Sequence, residues 1–280
     1  VHRGFDHFFG TVCCPTTDWL YAYMEGDRIP VPPTRQVDKS KLPKHEWSFD
    51  CRPGLVAPDF DLEEVDMVFL KKSQEFLAQH AKENPDKPFF LFHSMQAVHL
   101  PSFPGDAFKG KTKAGPHGDF IFEMDHIVGE LMKTIEQNGL AKNTLIIFTS
   151  DNGPHYEGGH KPGFFDSNGP LRGHKRDLWE GGIRVPGLIE WPAKIKNGRV
   201  SKVNGVTSDM LPTLCAWAGV EPPALPLDRG AMHADLGPSL LCLLRHPQRT
   251  DSLSLSLYIS LSLSHTLSLS VCVPCAKKQK

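Results

Sequence analysis

Residues 144–186 read TLIIFTSDNGPHYEGGHKPGFFDSNGPLRGHKRDLWEGGIRVP, and the fold turns on how that stretch is parsed. It opens with Leu145-Ile146-Ile147-Phe148, a β-branched and aromatic run that predicts a buried strand. The run stops at Ser150-Asp151-Asn152-Gly153-Pro154, where turn-forming residues take over. In an open α/β sheet, ligands gather just beyond the carboxyl ends of strands, so Asp151 and Asn152 stand where chemistry is expected. A carboxylate beside an amide oxygen suits a hard divalent cation such as Ca²⁺ or Mg²⁺. An Asx turn closing the strand is the competing reading of the same pair. A long loop rich in Gly, His and charge follows, ending at Gly181-Gly182-Ile183-Arg184-Val185-Pro186. Long loops inside compact domains are usually functional. This one carries Arg172, His174, Lys175 and Arg176, a cation cluster able to hold an oxyanion.

Working outward, a helix is predicted from Asp59. Leu62, Val65, Phe69, Phe76 and Leu77 mark its apolar face, acidic residues fill its first turn, and Asn84-Pro85 ends it. Pro88–Phe92 predicts a second buried strand, followed by a loop that carries His99. A histidine in a loop is commonly structural; one placed after a strand, beside the first site, also reads as functional. A second helix spans Asp119–Asn138, with Phe120, Met124, Ile127, Val128, Leu131 and Ile135 as its stripe and Gly139 as its C′ residue. Asp125 falls on the solvated face of that helix. Strand, helix and strand make a βαβ-like unit, and the class is α/β. Downstream, Gly187–Trp191 predicts a short strand and Ser208–Gly219 a helix with proline in its first turn. Residues 11–58 are Pro-rich, with little periodicity.

The 280 residues are 40% hydrophobic and 22% charged, with a net charge of −1. That balance gives no support for a nucleic-acid or anionic-membrane partner. No apolar stretch approaches the roughly 18 residues of a membrane span. The seven cysteines form no framework; Cys272-Val-Pro-Cys275 has redox or half-zinc spacing but lacks a second pair.

Four pieces of the central stretch, TSDNGP, SNGPLRG, the lysine of GHK, and EGGIRVP, resemble the sulfatase family in its arylsulfatase-like branch, in family order and near family spacing. GFDHFFG at residues 4–10, the SDMLPTLCAWAG helix and Asp235–Leu240 extend the resemblance over about residues 3–246. It implies an alkaline phosphatase-like mixed sheet with helices on both faces, incomplete at the N-terminus. It implies hydrolysis of sulfate monoesters, on a sulfated small molecule or glycan. It also implies a secretory, lysosomal or periplasmic setting. Asp151 and Asn152 would be two ligands of the divalent cation, Ca²⁺ in most members. Lys175 would hold the sulfate or leaving oxygen, and His99 would touch the same group or act as general acid. Arg172 and His174 would be neighbours without an assigned part, and His160, in GGHKPG, a substrate-loop residue.

The family's formylglycine nucleophile comes from a C/S-x-P/A-x-R motif, which the chain does not contain. Cys13-Cys14-Pro15-Thr16-Thr17 and Cys51-Arg52-Pro53-Gly54-Leu55 lack the arginine. The expectation is a C-terminal portion of a sulfatase catalytic domain, inactive by itself. An inactive sulfatase-like binding protein and a phosphodiesterase or phosphonate hydrolase of the same superfamily are the alternatives. Residues 247–280 are expected to form a disordered low-complexity tail, since 252–270 alternate Leu and Ser as a translated dinucleotide repeat would.

Overall fold

The computed structural model describes residues 5–12, 14–17, 19–46, 48, 51–156, 162–202, 205–221 and 267–272. The Pro-rich first part yields only short strands. β1 (Phe9–Thr11) pairs antiparallel with β3 (Tyr23–Glu25), while β2 (Leu20–Tyr21) and β4 (Arg35–Gln36) flank β5 (Leu55–Val56). These strands are held by a local aromatic core in which Tyr21, Tyr23, Phe60 and Phe103 are buried.

Next come α1 (Val65–Glu83), β6 (Phe90–Met95), α2 (Gly115–Gln137) and β7 (Leu145–Thr149). After two single helical turns, α3 (Pro162–Phe165) and α4 (Glu180–Ile183), follow β8 (Gly187–Glu190) and α5 (Met210–Ala218). The main sheet has the order β6, β9 (Leu267–Cys272), β7, β8, each neighbouring pair antiparallel. β6 and β7 therefore run in the same direction, and their carboxyl ends lie along one edge.

β7 shows why helices cover both faces. Ile146 and Phe148 point into a cluster with Leu70, Leu77, Ile127, Leu131 and Ile135 from α1 and α2. Leu145 and Ile147 pack on the other side against Trp191, Met210, Leu214 and Trp217. Ile127 and Leu131 are fully buried, which stabilises the fold by about 1.5–3 kcal/mol per side chain.

Two elements depart from their predicted faces. α1 begins at Val65 rather than Asp59; the predicted Leu62, Val65 and Leu77 are buried, and Asp66, Leu70 and Ser73 are buried with them. Phe69 turns instead toward the rings of Phe9 and Tyr23, and Phe76 toward Phe89, because the helix lies between two apolar clusters. β6 alternates rather than being buried throughout. His93 and Met95 are buried while Phe90 and Phe92 are 40% and 50% exposed, the period of two that a strand imposes when one face is covered.

Within the span 247–280, Leu267–Cys272 form β9 inside the main sheet. Phe90–Met95 pair with Cys272–Leu267 on one side and Leu145–Thr149 with Cys272–Ser268 on the other. β6 and β7 leave a gap one strand wide, and an alternating Leu-Ser segment has the strand period needed to fill it. Asp235–Leu240 and Cys275 lie outside the described residues.

Candidate functional site

The turn after β6 carries His99, whose backbone N–H donates to the Gln96 carbonyl at 2.7 Å. Its Nδ1 contacts the Leu100 carbonyl and lies 3.7 Å from Cys14 Sγ. That carbonyl can only accept, so Nδ1 is the donor of this contact and carries a proton. Its ring centroid is 6.1 Å from that of His155, on the loop that leaves β7 just after Asp151 and Asn152.

Backbone packing brings Lys175 to the same loop. The Lys175 N–H donates to the Pro154 carbonyl at 2.7 Å, Gly153 N–H to Gly182 at 2.9 Å, and Gly181 N–H to Arg172 at 2.7 Å. No side chain fits between these strands of loop. A Cβ on Gly153 would sit 1.9 Å from the Gly181 carbonyl oxygen, and one on Gly181 2.0 Å from that of Gly173. Arg176, at φ 79°, reverses the chain directly after Lys175. The result is a cleft of about 70 Å³ lined by His155, Tyr156, Lys175, Arg176 and Asp177. Gly153→Ala and Gly181→Ala should each cost about 1–3 kcal/mol through overpacking. Gly198→Ala, with open space around its Cβ, serves as the reference; urea midpoints unchanged relative to it would contradict the close approach.

Of the predicted cation cluster, Lys175 and Arg176 line the cleft. Arg172 is exposed, its guanidinium 3.9 Å from the centroid of the Trp179 ring, and His174 lies beside the Asn168 amide and the Tyr156 ring. His160 lies outside the described residues, and Asp125 is exposed on α2. Sequence reasoning missed three side chains near His99 and its neighbour. Cys14 and His155 are two; the third, His117, bonds Ser102 Oγ through Nδ1 at 2.9 Å. Burial, with some help from His155, pushes the His117 pKa down to about 4. His155 stands four residues beyond Asp151, and Cys14 lies within the incomplete Cys13–Thr17 motif, though neither signal points to His99; nothing local marks His117.

The Asn152 Nδ2 donates to the Gly153 carbonyl at 2.9 Å, and Asn152 and Asp151 are both half-buried. Two oxygen donors suit a hard cation chemically, but Ca²⁺ takes 6–8 oxygen ligands. Among the described residues no group of three or more His, Cys, Asp or Glu is arranged to hold a metal. Formylglycine does not fit either cysteine segment: where its motif needs arginine the chain has Thr17 or Leu55.

The family model for sulfatases matches residues 2–220. The chain belongs to the sulfatase family. It is 42% identical over 171 residues to the steryl-sulfatase of Rattus norvegicus, covering 60% of this sulfatase chain and 29% of that protein. With N-acetylgalactosamine-6-sulfatase of the same organism, identity is 35% over 242 residues, or 86% and 43% of the two chains. Arylsulfatase A of Homo sapiens is 39% identical over 168 residues, or 60% and 32%. The sulfatase chain thus spans less than half the length of these relatives. A solved structure from work on the metabolism of multiple glycosaminoglycans by Bacteroides thetaiotaomicron superposes with a TM-score of 0.63. Its identity is 26%, over 90% of this chain and 56% of that one. The fold is accordingly the alkaline phosphatase-like α/β fold of sulfatases.

Proposed function

We propose that this chain contributes to a site that hydrolyses sulfate monoesters, with Lys175 and His99 as its acting side chains and Asp151 and Asn152 as two ligands of a divalent cation, calcium. The substrate is a sulfated small molecule or glycan. In such a reaction an oxygen nucleophile forms a bond to sulfur, the bond from sulfur to the ester oxygen breaks, and that oxygen leaves with the electron pair and takes up a proton. The Lys175 ammonium sets a positive charge against the sulfuryl and leaving oxygens as negative charge develops there. His99, entering as the imidazolium, delivers its Nε2 proton to the leaving oxygen and keeps the Nδ1–H on the Leu100 carbonyl. The cation, when bound, would neutralise charge on the sulfuryl oxygens.

The observation that carries this reading is the meeting of the two loops: Lys175 is hydrogen-bonded through its backbone to Pro154, three residues beyond Asp151, and the neighbouring His155 ring lies 6.1 Å from His99. Parallel assays of an aryl sulfate and the matching aryl phosphate with the whole enzyme test it. Turnover of the sulfate ester well above the phosphate ester is expected. A preference for phosphate, or turnover of neither, would overturn the reading.

A further inference from the structure

We propose that Asp66 is a positioning residue for His99, fixing the start of the turn by which the chain leaves β6 and reaches the site. The functional consequence rests on the role given above to His99, while the positioning itself does not.

Asp66 lies in the first turn of α1 and is 2% exposed. Its Oδ1 accepts from the Gln96 N–H and its Oδ2 from the Ala97 N–H, both at 2.7 Å. Those are the first two residues beyond the end of β6, and both are buried. The Gln96 carbonyl in turn accepts from the His99 N–H, so one tight turn connects the residue Asp66 holds to the residue proposed to act. A second anchor joins it, since Gln96 Nε2 donates to Thr16 Oγ1 at 3.1 Å.

The chemistry calls for a carboxylate. Two adjacent N–H groups converge on one side chain, and only two acceptor oxygens at carboxylate spacing satisfy both; an amide would turn an NH₂ against one of them. Burial opposes the charge and pushes the Asp66 pKa up to about 6, against the two N–H donors that favour the anion. The group therefore still ionises at neutral pH.

A purely architectural role can be told apart because a twin exists on the same helix face. Ser73 Oγ bonds His93 Nδ1 at 2.8 Å, tying α1 to the body of β6 without touching the turn. The experiment compares Asp66→Asn with Ser73→Ala in the intact chain. It reads the His99 imidazole resonances by NMR, assigned through His99→Ala, and the binding of inorganic sulfate by calorimetry. Asp66→Asn should displace the His99 resonances and weaken sulfate by about tenfold or more, whereas Ser73→Ala lowers the urea midpoint and leaves both at wild-type values. His99 resonances unmoved in folded Asp66→Asn, or moved equally in both variants, would overturn the proposal. If the wild-type chain does not bind sulfate, the site reading fails while the resonances still decide the positioning. Should Asp66→Asn not fold, Asp66→Glu keeps both acceptor oxygens one methylene further out and must shift the same signals.

Discussion

Lys175→Ala should lower turnover of an aryl sulfate by about 10²–10³-fold in the whole enzyme, equivalent to roughly 3–4 kcal/mol of transition-state stabilisation. The loss should fall mainly on kcat, because charge on the leaving oxygen exists only as the ester bond breaks. The fold should hardly notice. The Lys175 side chain is half-buried and lines the cleft, and its backbone bond to Pro154, which alanine keeps, holds the loop. A change in stability within about 0.5 kcal/mol is expected. His99→Ala should behave alike, and a leaving group acidic enough to depart without a proton should hide most of its defect. A fall in turnover that tracks a fall in urea midpoint for both variants would return Lys175 and His99 to structural roles.

The parts of this fold legible in the sequence are those written in apolar spacing. The β7 run and the stripe of α2 carry their period in Ile, Leu, Val and Phe, and Gly139 and Gly219 close their helices at φ 71° and 73° as the glycine positions predict. What stayed hidden is polar or made by distant pairing. Asp66 and Ser73 occupy the inward face of α1, where a reading by hydrophobicity assigns Phe69 and Phe76. Glu123 and His93 are likewise buried polar residues that a reading by hydrophobicity passes over. The contact of Gly153 with Gly181 involves only backbone, so no side-chain pattern announces it. The place of β9 was unreadable because a two-residue repeat specifies a strand but neither its partners nor its register.

Glu123→Gln should make the fold more stable as the solution becomes alkaline. Glu123 is fully buried in α2; its Oε2 accepts the Gly105 N–H at 2.8 Å, and its Oε1 is buried with no hydrogen-bond partner. Burial, with Asp66, Glu64 and Glu63 adding repulsion, pushes its pKa from 4.5 up to about 8. An acid raised in the folded state keeps its proton there while the unfolded chain gives it up, so stability falls as pH climbs from 4.5 towards 8. Other groups act in the lower part of that range. Asp66, raised to about 6, works in the same direction up to that pH. His93 and His117, both lowered to about 4 by burial, and His45, also lowered, work in the opposite direction. They stay neutral when folded, and stability is lost as pH falls below 6.5. Wild type and Glu123→Gln share those groups, so their effects cancel in the difference between the two proteins, which between pH 6.5 and 8 reports Glu123. One proton's difference across that window amounts to about 2 kcal/mol. Glutamine reproduces the protonated shape and keeps the acceptor for Gly105, so the variant should lose this slope. Urea denaturation of both proteins at pH 6.5 and pH 8 measures it: the stability gap in favour of Glu123→Gln should widen by up to about 2 kcal/mol. A gap that stays constant across the two pH values would mean that Glu123 is ionised in the folded protein and that its neighbours leave room for water.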